Sequence, residues 1–235
     1  MLTIDILTLF PNIFDSYYGA SILKRAQSKG VVRIAAHNIR DFTAGPQHMT
    51  DDRPYGGGAG MVMLAEPILK AVEAVKKNSK TSAKRRKIIV MSAKGKPFTQ
   101  KMAYTWAKQY GHLVIISGRY EGIDERVTKI LAAEEVSIGP YVLTDGDVAA
   151  MTITSAVTRL LPGAIRLESL AEESHWDALV KEESQENGSL EYPHYTRPEI
   201  LTWKRKKYTV PKVLLSGDHK KIDEWRKSER LEKTT

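Results

Sequence analysis

Apolar residues along the first two-thirds of the chain fall in short blocks, separated by stretches with helical spacing. Leu2–Phe10 is apolar and rich in β-formers, and it reads as a strand. Ser16–Lys29 carries its apolar positions at helical intervals and ends at Gly30, which predicts a helix. The same reading gives a strand at Val31–Ile39, a helix at Glu66–Lys77 and a buried strand at Lys87–Ser92 (KIIVMS). Beyond these it gives a helix at Thr99–Gln109, a strand at His112–Ser117 (HLVIIS) and a helix at Ile123–Ala133. A short strand at Val136–Ile138 and a helix at Gly146–Leu161 complete the series. Strands that alternate with helices predict an α/β fold around a mostly parallel sheet, covered on both faces. Short, wholly apolar strands fit that burial.

After Pro162 the pattern fails. Residues 166–192 are polar, acidic and aperiodic, long enough for a lid or linker. From Tyr192 onward, helical pieces are expected at Pro198–Lys204 and Lys212–Arg230, giving a small basic helical domain. The expected organisation is a domain over 1–165, a lid over 166–192 and a helical domain over 193–235. With 235 residues and 42% hydrophobic content the chain can bury a real core, so wholesale disorder is excluded. No run of about 18 apolar residues occurs, so no transmembrane helix is expected. The apolar N-terminus has no basic flank ahead of it and reads as a strand, not a signal peptide. The absence of cysteine excludes a disulfide framework, a thiolate zinc site and a cysteine nucleophile. A soluble, cytoplasmic protein is expected.

Charge sharpens the picture. The formal net charge is +8, and the stretch Lys76, Lys77, Lys80, Lys84, Arg85, Arg86, Lys87 contains no acid. Leu201–Thr235 carries eleven Lys/Arg against five Asp/Glu. A solvated basic surface explains either run alone; two runs bracketing a folded middle favour a phosphate backbone as partner.

Three glycine-containing stretches are candidates for chemistry. Asp51–Met61 (DDRPYGGGAGM) lets a ligand approach the backbone closely, but no Gly-Lys-Ser/Thr follows, so it is not a phosphate-binding Walker loop. Ser117–Arg126 (SGRYEGIDER) is a strand-to-helix turn without the spacing of a dinucleotide site. Ser137–Asp147 (SIGPYVLTDGD) offers backbone groups able to read an adenine edge, with Ile138 and Leu143 as apolar walls. The six histidines form no zinc-binding spacing and no GxSxG occurs, so no metal ligand is assigned and that hydrolase chemistry is disfavoured.

With these motifs, and with LTLFPNIF, SAVTRLLPGAI, YPHYTRPE and VLLSGDH in the same order, the whole chain resembles the bacterial tRNA (guanine-N1) methyltransferases. That family belongs to the SPOUT class. The resemblance implies a doubly wound sheet with a deep trefoil knot, which is rare among folds. It implies S-adenosylmethionine as methyl donor and 1-methylguanosine as product, at position 37 on the 3′ side of the tRNA anticodon. It also implies a homodimer whose two subunits share each active site. The cofactor loops carry over onto Val90, Met91, Ser92 and Ala93, onto Gly118, Tyr120 and Glu121, and onto Ser137, Ile138, Gly139, Pro140, Tyr141, Val142 and Leu143, with Asp145 and Ala149 beside them. Asp51, Gly60, Ser169, His194, Tyr195 and Arg197 are the residues expected on the tRNA side. The family is magnesium-dependent, and Glu121 and the lid acids are candidates to help hold Mg2+.

Guanine N1 carries a proton at neutral pH, so a base must remove it while negative charge grows toward O6. A carboxylate suits the first task and an arginine the second. The resemblance assigns the arginine to Arg159 and the carboxylate to the lid, where the family usually has Asp followed by Ser. Here Glu173 matches from the upstream side and Glu183 from the downstream side, with Glu173 preferred because Ser169 then falls into place. Asp145-Gly146-Asp147 also departs from the usual Gly-Gly-Glu, and the extra carboxylate is expected to alter cofactor contacts. The altered lid leaves open a catalytically weak or silent tRNA-binding homologue, and a knotted methyltransferase acting on another RNA is the further alternative.

Overall fold

Strands buried on both faces along most of their length can be satisfied only between two layers of helices, and the chain builds that arrangement. A computed structural model describes residues 1–166 and 191–230. Strands β1 (Leu2–Thr8), β2 (Val32–Asn38), β5 (Arg86–Pro97), β6 (His112–Ile116) and β7 (Glu134–Ser137) form a five-stranded sheet. Its order is β2-β1-β6-β5-β7 and every pairing is parallel. Two short strands, β3 (Asp51–Asp52) and β4 (Val62–Met63), pair antiparallel apart from it.

Side chains alternate across the sheet with period two. Ile4, Ile6, Ile89, Leu113 and Ile115 join one core with residues of α2 (Ser21–Ser28), α4 (Gln100–Gln109) and α6 (Asp147–Thr158). Leu7, Val90, Val114 and Ile116 join a second core with α3 (Ala65–Lys77) and α5 (Glu125–Leu131). Helices therefore cover both faces. Among the described residues no helix is long and apolar enough to cross a membrane.

The elements depart from the sequence reading in four places. The single helix expected at Ser16–Lys29 is two, α1 (Asp15–Tyr18) and α2, because Gly19 closes the first turn against the Asp15 carbonyl. A Cβ at Gly19 would lie 2.7 Å from that oxygen, so only glycine fits there. The strand expected to end at Ser92 continues to Pro97: it leaves register after Met91 and pairs with β7 again at Lys96 and Pro97. The helix expected at Pro198–Lys204 is a hairpin, β8 (Ile200–Trp203) and β9 (Lys206–Thr209). Its alternating β-branched and aromatic residues outweigh the helical spacing. The expected helix at Lys212–Arg230 is likewise divided, into α7 (Lys212–Leu215) and α8 (His219–Ser228). Asp218 caps α8 through the Lys221 amide.

The chain separates into two compact units, Met1–Arg166 and Leu167–Thr235. The described part of the second is mixed, not purely helical, since it holds the hairpin as well as α7 and α8.

One charged group interrupts the apolar centre of the sheet. Asp5 on β1 is buried and accepts from His112 Nε2 and His37 Nε2, each at 2.8 Å. Arg86 Nε donates to His112 Nδ1 at 3.0 Å, which leaves Nε2 as the proton-bearing nitrogen facing Asp5. Burial pushes the Asp5 carboxyl up, but the hydrogen bonds that it accepts from His112 and His37 outweigh that and hold it at about 2. A carboxyl held below its unfolded value stabilises the fold at pH above about 4 and loses that contribution as pH falls toward 2. Asp5→Ala is expected to cost about 3 kcal/mol at neutral pH in urea unfolding, because the buried partners lose their acceptor. The variant should also lose part of the wild-type decline in stability between about pH 4 and 2.

Candidate functional site

In an open parallel sheet the carboxyl ends of the strands present their loops together. Here the stretch of β5 around its break in register after Met91 and the loops after β6 and β7 enclose a cleft of about 390 Å³. It is lined by Val90–Lys94, Gly118–Ile123, Ser137–Gly139 and Tyr141–Gly146, with Ala149 from α6. Each residue expected to contact the cofactor lines this cleft except Pro140. Lys94, Arg119 and Gly146 line it as well.

The loops are tied to one another by a small polar network. Asp147, in the first turn of α6, is wholly buried. Its Oδ1 accepts from Thr8 Oγ1 at 2.7 Å, and its Oδ2 from Arg119 NH2 at 2.8 Å. The end of β1, the loop after β6 and the start of α6 therefore meet at one carboxylate. Phe10 lies under the Arg119 guanidinium, 4.2 Å from ring centroid to Cζ. Gly146 N donates to Gly118 O at 2.9 Å and joins the same two loops through the backbone. The loops approach so closely that a Cβ at Gly146 would lie 2.9 Å from Gly118 N and 3.0 Å from Met91 Cβ.

Asp145 has a definite place in this network. Its Oδ1 accepts from the Asp147 amide at 2.9 Å, a local turn just ahead of α6. Its Oδ2 lies 3.3 Å from Arg119 NH2. The third loop is shaped internally: Ser137 Oγ donates to Gly139 O at 2.9 Å, and Tyr141 OH donates to Ile138 O at 3.2 Å.

The lining mixes exposed apolar side chains (Tyr120, Tyr141, Val142 and Leu143) with backbone amides and carbonyls. That combination suits a flat heteroaromatic ring with a polar edge. Both cations in the lining are already paired. Lys94 meets Glu125 at 2.8 Å and Glu135 at 3.5 Å, and Arg119 meets Asp145 and Asp147. The hydrogen bond that Lys94 donates to Glu125 and the charge of Glu135 push Lys94 above the ordinary lysine range. The cleft thus favours a ligand without phosphates. Arg119 Nε and Ser117 Oγ are buried with no hydrogen-bond partner among the described residues. Among the described residues no three His, Asp or Glu side chains gather as a metal cage.

Other expected site residues lie elsewhere. Asp51 sits on β3, where its carboxylate accepts from Thr50 Oγ1 at 3.2 Å, and does not line the cleft. Gly60 lies outside the lining too, but it packs against Glu121, and Met61 O accepts from the Glu121 amide at 3.0 Å. The glycine-rich stretch thus supports the loop that forms the cleft wall. Arg159 caps the far end of α6, about 18 Å along the helix from Asp147 at 1.5 Å per residue, and is not among the lining residues. His194, Tyr195 and Arg197 are exposed in the second unit, with the His194 ring stacked on Tyr192 at 4.6 Å. Ser169, Glu173 and Glu183 lie outside the described residues.

Thr8, Arg119 and Asp147 did not emerge from the sequence as site residues. Arg119 and Asp147 lie inside motifs that did, but nothing in their spacing pairs residues 28 apart, or Thr8 with Asp147 139 apart.

A family model described as tRNA (Guanine-1)-methyltransferase TrmD matches residues 2–235. The chain is 51% identical over 228 residues to a tRNA (guanine-N(1)-)-methyltransferase of Carboxydothermus hydrogenoformans, covering 97% of this chain and 82% of that one. It is 46% identical over 231 residues to the protein of the same name from Dehalococcoides mccartyi, covering 98% and 86%. For the Thermomicrobium roseum protein of that name the identity is 49% over 230 residues, covering 98% and 79%.

The Asp147 network makes two variants informative. Asp147→Ala leaves the Arg119 guanidinium partly buried without its shorter ion pair, and should lower stability by about 3 kcal/mol in urea unfolding. Gly146→Val forces the two loops apart and should cost about 1–3 kcal/mol through overpacking. Wild-type stability in both would contradict the tie between the loops.

Proposed function

The chain belongs to the tRNA (Guanine-1)-methyltransferase family, and we propose that it methylates N1 of guanosine in tRNA, at position 37 beside the anticodon. The observation that carries this reading is the phosphate-averse cleft, formed by three loops that a family member would use for S-adenosylmethionine. The fit rests on the apolar walls and the paired state of Lys94 and Arg119. Tyr120, Ile138, Leu143 and Ala149 would hold the adenosyl portion, with Glu121 and the Gly118 backbone at its polar groups. When bound, S-adenosylmethionine supplies a sulfonium methyl that is open to nucleophilic attack.

The rest of the chemistry falls to the protein. Glu173, with Glu183 as the alternative, takes the N1 proton, and the Arg159 guanidinium faces the charge that grows on O6. The position of Arg159 at the end of α6 away from the cleft favours a homodimer in which one subunit's arginine serves the other's site. Within this reading, 1–165 is the knotted catalytic domain with its deep trefoil knot, 166–192 the lid, and 193–235 the tRNA-binding domain. Ser169 and Asp51, with His194, Tyr195 and Arg197, are assigned to the tRNA. Gly60 acts by supporting Glu121. Mg2+ keeps most of its water and uses few protein carboxylates, so Glu121 together with the lid acids suits it, and no step is assigned to it. The enzyme would work in the cytoplasm.

The test is to incubate the protein with methyl-labelled S-adenosylmethionine, Mg2+ and unmodified tRNA bearing guanosine 37. Label is expected in 1-methylguanosine, and none when position 37 is adenosine. Cofactor and tRNA binding without product would identify a silent homologue, and product only in another RNA would refute the substrate. Glu173→Gln is expected to lower kcat by about 10²–10⁴-fold with tRNA affinity kept. Full activity in that variant, and its loss in Glu183→Gln, would move the base to Glu183.

A further inference from the structure

The β8–β9 hairpin breaks its own turn preference. Trp203 pairs with Lys206, so the loop is Lys204-Arg205, and both residues have positive φ, +46° and +64°. A two-residue turn of this kind is ordinarily made by Asn-Gly, because most side chains are disfavoured there. Two long cations at these positions oppose local propensity, and such conflicts concentrate at functional sites. Their effect is to place two positive charges at the tip.

The register gives the hairpin two different faces. Directly opposed residues of an antiparallel pair project to the same side. Leu201, Trp203, Lys206 and Tyr208 therefore share one face, and Lys206 Nζ sits 5.4 Å from the Tyr208 ring centroid. On that face Trp203 is 63% exposed, Leu201 52% and Tyr208 49%. Lys204, Arg205, Lys206 and Lys207 are consecutive cations, and none pairs with an acid among the described residues. The sequence has no acid from Ile200 through Gly217.

We infer that this hairpin is an RNA-contacting element, with Trp203 and Tyr208 as a stacking platform for an unpaired base and Lys204 and Arg205 on the adjoining phosphates. The inference rests on the reading that the substrate is tRNA. Aromatic rings stack on any base, and cations beside them track the backbone, so the two features together select single-stranded or looped RNA. A protein surface without acids would match the apolar side chains and leave four like charges unanswered.

The test uses two variants of the full chain, K204N/R205G and W203A/Y208A. The first installs the residues that the turn prefers, so it should fold at least as stably as wild type. Its affinity for unmodified tRNA, measured by fluorescence anisotropy between about 50 and 200 mM salt, should fall. Its dependence on log salt should be shallower by about one to two units, as for two lost phosphate contacts. W203A/Y208A should bind about ten- to a hundredfold more weakly, with the slope kept. Wild-type affinity and slope in both variants, while wild type methylates tRNA, would overturn the hairpin's role and leave the enzyme reading intact. A changed sedimentation coefficient with unchanged tRNA binding would overturn it in favour of a contact between copies. Wild type that neither binds nor methylates tRNA would defeat the functional reading and this inference with it.

Discussion

The cleft depends on a single buried carboxylate. Asp147 lies at the first turn of α6 with no exposed surface, and a charge in that place is tolerable only if it is fully partnered. Thr8 and Arg119 supply the partners from β1 and from the loop after β6. Three segments distant in sequence are therefore held at one point, directly beside the loops that form the cleft. The backbone bond from Gly146 to Gly118 repeats the tie without charge, and the absence of a side chain at 146 is what lets the loops come so close. Asp145 joins the same network through the Asp147 amide and as a second, longer contact to Arg119.

A second buried carboxylate holds the opposite part of the sheet. Asp5 joins β1 to β2 through His37 and to β6 through His112, and Arg86 on β5 completes the line. The strand order places β2, β1, β6 and β5 side by side, so the Asp5 network links four neighbouring strands from the β2 edge inward. The apolar cores supply most of the cohesion, and these two carboxylates fix which strands and loops lie opposite one another.

Much of the architecture was legible in the sequence for physical reasons. Short apolar blocks such as HLVIIS, bounded by Gly111 and Gly118, read as strands buried on both faces, and alternation with helical stretches leads to a parallel sheet. The cleft was legible because its three walls are motifs at strand ends. The hairpin at Ile200–Thr209 was not, because a short stretch with apolar residues fits either period, and Lys204-Arg205 carries none of the usual turn signals. The partners of Asp147 were hidden for a different reason: contacts across 28 and 139 residues are set by the folded sheet, not by local pattern. Arg159 shows the same limit, since its helix was plain but its distance from the cleft follows only from the helix's direction.

The cleft is probed most directly by backbone hydrogen exchange with and without S-adenosylhomocysteine, the product form of the methyl donor. Protection is predicted in 90–94, 118–123 and 137–146 together, with little change at β2 or the hairpin. Protection confined to other segments, or none at saturating ligand, would contradict the assignment of this cleft.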